Sequence, residues 1–258
     1  MRPLADSSSL RRVLALFALA ASAAAALAAP TGAAAATCSA RSGATVPAVI
    51  ELYTSEGCNS CPPADRWLSG LKERDGVVAL AFHVDYWDSL GWKDRFAQPQ
   101  FTQRQNATQH TSGARFAYTP QVILDGRDAP NWSSLPSGVL QRKNVSTVGL
   151  TLTRDGTELA LEVAPGAGAP AKLSGYVAVV DDGLQTHVGA GENRGETLHQ
   201  DGVVRELLPW NVVGAQPATL RFRPGSAPEP GTVRHWVAVA TDGPYGKPLQ
   251  AVTLACAH

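Results

Sequence analysis

Cys58-Asn59-Ser60-Cys61 places two thiols three positions apart. Such a pair can close into a disulfide and reopen, which is the chemistry of a dithiol redox site. Its flanks fix where it would sit. Ala48-Val49-Ile50-Glu51-Leu52-Tyr53 reads as a buried strand, and Ala64, Trp67, Leu68 and Leu71 recur at helical spacing behind it. A dithiol at a strand-to-helix turn puts Cys58 beside a helix N-terminus. Backbone N–H groups and the positive dipole end there favour its thiolate, the form that attacks disulfides. Cys58 is then the attacking thiol, near the surface, and Cys61 the more buried resolving thiol. Asn59 and Ser60 bring hydrogen-bonding groups but no charge. The alternative is an inert bridge, permanently closed.

The chain has 258 residues and zero formal net charge. With no basic cluster, nucleic acid is not an expected partner. Arg2, Arg11 and Arg12 precede an almost wholly apolar run, Val13–Ala28, and small residues follow at Ala33–Ala36. Residues 1–36 therefore read as a secretory signal peptide, with a retained membrane anchor as the alternative. No later segment resembles a membrane span, so a secreted or periplasmic protein is expected. In an oxidising compartment the remaining cysteines, Cys38 and Cys256, would form a structural disulfide across the chain ends; two unpaired thiols are the alternative. No phosphate loop, G-x-S-x-G or H-E-x-x-H occurs, and His187 and His199 lack zinc-site spacing. No cofactor or metal is expected on that basis.

Two regions differ in pattern. From about Val46 to Lys143, strand and helix signals alternate: a strand at Val49–Tyr53, a helix from Pro63 to about Arg74, a strand at Val77–Val84, one or two helices within 85–116, and a strand after Pro120. Beyond residue 146 the runs are strand-like and punctuated by Gly and Pro, with a hairpin signal at Asp155-Gly156. About seven strands are expected there, in a sandwich-like arrangement. The organisation expected is thus a signal peptide (1–36), an α/β domain with a helical insertion (37–145) and an all-β sandwich-like domain (146–258).

Several blocks carry a family resemblance. The C-x-x-C after the first core strand, and Tyr118-Thr119-Pro120 before a later one, resemble the thioredoxin-like pattern. Glu51-Leu52-Tyr53-Thr54-Ser55-Glu56-Gly57-Cys58, His83-Val84-Asp85-Tyr86-Trp87-Asp88, Gly91-Trp92-Lys93-Asp94, Arg104-Gln105, Gly191-Glu192-Asn193-Arg194-Gly195 and Val203-Val204-Arg205 resemble an uncharacterised family of secreted bacterial proteins. That resemblance implies a thioredoxin-like α/β N-terminal domain and a cis Thr119–Pro120 bond facing the sulfurs. It also implies an active-site rim holding Thr119, Pro120, His83, Asp85 and Trp87; strand alternation would put His83 and Asp85 on one face. Thiol–disulfide exchange follows as the expected activity. Exported protein thiols or small thiols would be the partners, with an unnamed protein recycling the dithiol.

Rival readings use the same residues. Cys58, Cys61 and His83 could carry Cu(I), since two thiolates and an imidazole suit that ion. Tyr86, Trp87 and Trp92 could line an aromatic groove for a small ligand, or simply fill core. Arg104-Gln105 would project from an inserted helix to the rim or form a solvated face. Glu192-Asn193-Arg194 would bind a ligand or dock the two domains, the latter through Arg194.

Overall fold

All seven residues of Ala48–Thr54 are buried. A strand covered on both faces needs partners on both edges and apolar layers above and below. The computed structural model describes residues 37–141 and 144–256, and the expected signal peptide lies outside them. In chain order the elements are β1 (Cys38–Arg41), β2 (Ala48–Thr54), α1 (Pro62–Ser69), β3 (Val77–His83), α2 (Pro99–Ser112), β4 (Gln121–Leu124) and β5 (Arg127–Asp128). There follow β6 (Val148–Asp155), β7 (Glu158–Pro165), β8 (Lys172–Asp182), β9 (Leu184–His187), β10 (Thr197–Gln200), β11 (Val203–Val213), β12 (Ala218–Phe222), β13 (Val233–Thr241) and β14 (Pro248–Leu254).

The expectation of an α/β thioredoxin-like N-terminal domain beside a separate β-sandwich is corrected by the sheet order. One mixed sheet of eight strands runs β14-β13-β8-β11-β3-β2-β4-β5. It draws strands from both halves of the chain, and the described residues form one compact unit. The junction is parallel pairing of β11 with β3, where Val203 lies opposite Ala81 and Ala81 N–H donates to Gly202 O at 2.7 Å. The outer edge of β3 would otherwise present unpaired backbone groups, and β11 covers part of it. Gly202 permits the approach: its φ is +68°, and a Cβ there would meet Ala79 O at 2.9 Å.

Each helix takes one face of β2 and β3. On α1, Ala64 and Leu68 pack with Ile50, Leu52 and Ala81. On α2, Phe101 meets Phe82 edge-on, the ring centroids 5.4 Å apart. The predicted helix from Pro63 to Arg74 is shorter, ending at Ser69 before turns, and the insertion holds one α-helix and a 3₁₀ turn at Asp88–Leu90. A four-stranded sheet, β1-β6-β7-β12, lies over the other end of the large sheet. Leu150, Leu152, Leu161 and Val163 share that core with Val177, Val179, Trp210 and Trp236.

The face of α2 toward the sheet is unusual. Arg104 and Gln105 are buried, neither at a rim nor solvated. Arg104 Nη2 donates to Glu51 Oε1 at 2.6 Å, and Tyr176 Oη donates to the same oxygen at 2.7 Å. Tyr53 Oη donates to Glu51 Oε2 at 3.2 Å. The guanidinium lies 4.5 Å from the Tyr176 ring centroid. Gln105 Nε2 donates to Tyr118 O (2.7 Å) and to Gln121 Oε1 (2.9 Å), tying α2 to the segment that carries Thr119 and Pro120.

A disulfide joins Cys38 to Cys256, with Cα atoms 5.9 Å apart and 218 positions between them in sequence. It fastens β1 to the segment after β14. Closing so long a loop removes much chain entropy from the unfolded state. The Cys38→Ser/Cys256→Ser double variant is expected to lose about 4 kcal/mol in urea denaturation. A loss below about 1 kcal/mol would show that the ends are held by strand pairing alone.

Candidate functional site

Residues 55–61 turn from the end of β2 into α1. Gly57 N–H donates to Ser55 Oγ (3.1 Å), Cys58 N–H to Ser55 O (3.2 Å) and Cys61 N–H to Cys58 O (3.2 Å). Pro62 and Pro63 then open the helix, where the absent N–H groups break no helical bond. Cys58 and Cys61 are joined in a disulfide, their Cα atoms 5.4 Å apart. Both are 0% exposed, whereas Cys58 was expected near the surface. Asn59 and Ser60, between them, are exposed.

The cover comes from later in the chain. The Thr119–Pro120 peptide is cis. Thr119 Oγ1 donates to Cys58 Sγ at 3.4 Å and accepts from Trp87 Nε1 at 2.8 Å. Trp87 also presses on Gly57, where an added Cβ would stand 3.2 Å from Trp87 Cβ. From the far side, Asn193 Nδ2 donates to Glu56 O (2.8 Å) and Cys58 O (3.0 Å), and Glu192 Oε2 accepts from Asn59 N–H (3.1 Å). Docking of this loop is therefore carried by Asn193 and Glu192. Arg194 is exposed.

Strand geometry separates His83 from Asp85. β3 ends at His83, so the alternation that would place them on one face stops there. His83 is buried, with Nδ1 2.7 Å from Asp94 Oδ2 and no partner for Nε2. Asp85 instead accepts from Thr102 Oγ1 at 2.5 Å and docks onto α2. The three aromatics do not line one groove. Trp87 packs partly into the core, Trp92 Nε1 donates to Glu56 Oε2 at 2.9 Å, and Tyr86 is 41% exposed. Among the described residues, no group of three or more His, Cys, Asp or Glu side chains is placed to hold a metal ion.

A buried acid–base group follows the dithiol on α1. Asp65 lies one helical turn after Cys61 and accepts from Thr54 Oγ1 at 2.8 Å. Burial pushes its pKa up to about 6, against the opposing pull of His83. Burial would depress the His83 imidazole, but the Asp94, Asp65 and Glu56 carboxylates reverse this and raise it. Asp94 is held below the usual carboxylate range, since His83 and backbone N–H donors outweigh its own burial. Asp65, with its pKa near 6, is thus a buried group able to gain or lose a proton close to neutrality.

Residues 49–239 match the family described as "Protein of unknown function (DUF1223)". The chain belongs to this family. No curated protein matches this DUF1223 chain. Among solved structures it is similar to the X-ray crystal structure of protein AGR_C_4864 from Agrobacterium tumefaciens. That match has a TM-score of 0.58 at 23% identity, over 81% of this chain and 94% of that one. It is also similar to HBP35 of Porphyromonas gingivalis, with a TM-score of 0.53 at 14% identity, over 83% and 76% of the two chains. At these identities the likeness is one of fold.

Sequence reasoning overlooked Asp65, Glu56 and Asp94 as members of the candidate site. A signal for Asp65 was present. Cys61, Ala64, Asp65 and Leu68 stand at i, i+3, i+4 and i+7, the buried stripe of α1, so the carboxylate had to point inward. Asp94 had no such signal, because its loop has no periodicity.

Proposed function

We propose that this chain is an exported thiol–disulfide oxidoreductase acting on protein thiols or small thiols. The observation that carries the reading is the Cys58–Cys61 bridge at the start of α1, with Thr119 Oγ1 of the cis Thr119–Pro120 pair at 3.4 Å from Cys58 Sγ. In the reduced protein, the Cys58 thiolate attacks a substrate disulfide. One substrate sulfur leaves and takes up a proton, and a mixed disulfide forms. Cys61 then gives its proton to Asp65 and attacks Cys58 Sγ; the mixed bond breaks, the second substrate sulfur leaves and takes up a proton, and the bridge closes. The substrate gains two electrons and the dithiol loses two; oxidation of a substrate dithiol is the reverse.

Two variants test the order of events. Cys58→Ala should abolish exchange, and Cys61→Ala should accumulate mixed disulfides that run as reducible adducts on a gel. Full exchange by Cys58→Ala would overturn the mechanism.

The complete burial of both cysteines supports a second reading, a closed structural bridge. The reduction potential in glutathione buffers separates the two. A value between about −120 and −270 mV supports exchange, and one below about −300 mV supports the closed bridge.

A further inference from the structure

We propose that Glu192, brought from the C-terminal half, sets the reactivity of Cys58 by holding a carboxylate on the backbone of the dithiol loop. The inference rests on the exchange reading and adds its regulation. The helix start offers Cys58 little N–H stabilisation of its own. Pro62 and Pro63 have no N–H, Cys61 N–H is spent on Cys58 O, and Asn59 N–H is spent on Glu192 Oε2 at 3.1 Å. The Thr119 and Ser60 hydroxyls stand each 3.4 Å from Cys58 Sγ.

The position of Glu192 is held from its neighbour. Asn193 is buried and donates two bonds into the same loop. Gly191 lets the turn close against Trp92, with φ at +74° and a would-be Cβ at 3.1 Å from Trp92 Cβ. The other charges around the loop are Glu56, tied to Trp92 and Gln200, and the Asp65, His83 and Asp94 group behind it. The cations adjoining these segments in sequence, Arg66, Lys93, Arg95 and Arg194, are solvent-exposed.

A like charge beside a forming thiolate disfavours it, and an N–H given to a carboxylate is withdrawn from the sulfur. Glu192 therefore raises the Cys58 pKa and disfavours the reduced protein. With glutathione as reductant, two glutathione thiols supply two electrons and two protons. The products are the Cys58 and Cys61 thiols and one glutathione disulfide, and Cys58 then ionises to solvent. Removing the carboxylate stabilises the thiolate and makes the bridge more oxidising, as reduced-form stabilisation does in strong oxidants.

The test uses Glu192→Gln, which keeps a hydrogen-bond acceptor and removes the charge. In the Cys61→Ala background, Cys58 is titrated by its ultraviolet thiolate absorbance. Glu192→Gln should give about three- to tenfold more thiolate at a pH below both pKa values. Added salt should lower the Cys58 pKa in the Glu192 protein and leave that of the Gln protein unmoved. With both cysteines present, the glutathione equilibrium should shift the same way by up to about tenfold, roughly 30 mV for this two-electron couple. An unchanged or raised Cys58 pKa in Glu192→Gln overturns the proposal, whatever the bridge does in glutathione. A lowered pKa together with a bridge that glutathione cannot open upholds the electrostatic role and overturns the exchange reading.

Discussion

Arg104→Ala is expected to cost about 3–5 kcal/mol in denaturant unfolding, the largest stability loss among the substitutions considered. Glu51 lies mid-strand in β2, buried, and accepts from Arg104, Tyr53 and Tyr176. Truncating Arg104 leaves that carboxylate without its counter-charge and opens space between Tyr176 and Tyr245, over whose rings the guanidinium sits. Burial disfavours the charged guanidinium, and the Glu51 carboxylate more than offsets this, so its pKa is raised above the usual arginine value. The pair is costly to break and far less costly to replace whole. Glu51→Gln/Arg104→Met should recover much of the loss, giving a coupling energy above about 1 kcal/mol in a double-mutant cycle. Additive single-site losses, each under about 1 kcal/mol, would show that the pair does not stabilise the junction of α2 with the sheet.

Asp65→Asn should slow resolution of the Cys58 mixed disulfide by roughly 10²-fold, the lower end of what a positioned proton acceptor supplies. The attack by Cys58 should be nearly unaffected, which distinguishes a proton-transfer role from general damage. The resolving step in the parent protein should rise with pH through about 6, where Asp65 ionises, and the Asn variant should lose that rise. Stability should move in the opposite sense to activity. Because the folded-state pKa of Asp65 lies above its ordinary value of 3.8, the native state binds more protons between about pH 4 and 6. Its contribution to stability therefore falls as pH rises through that window. Asp65→Asn removes this cost, so the variant should melt higher than the parent at pH 7. Unaltered resolution, with melting unaltered as well, would refute the role assigned to Asp65.

How much of this was legible in the sequence depends on the range of each interaction. The strand at Val49–Tyr53, the helix behind Pro63 and the turn at Asp155-Gly156 are written in local patterns, and the structure has them. The structure also has the cis bond before Pro120 that the resemblance implied. Pairing of β11 with β3 has no local signature. Val203-Val204 reads as a strand in any sheet, so the chain looked divisible near residue 145 when its strands share one. The inward face of α2 was illegible for a chemical reason. Arg104, Gln105 and Thr108 are polar residues buried on Glu51, Gln121 and Tyr53, and a polar stripe reads as solvent-facing unless its partners are known. At the dithiol, residue types pointed to Cys58 and Cys61. Their burial depends on Thr119 and Asn193, which only the folded chain brings to them.

The late arrival of β11 orders events as the polypeptide emerges. Gly202 and Val203 are made more than a hundred residues after Ala81, and Asn193 long after Cys58. Through that interval β3 keeps an open edge and the C-x-x-C has no cover from the 191–195 loop. While those strands are undocked Cys58 and Cys61 lack that cover, and the finished fold encloses them. Access to the dithiol is thus governed by the docking of the C-terminal half as well as by the loop that carries it.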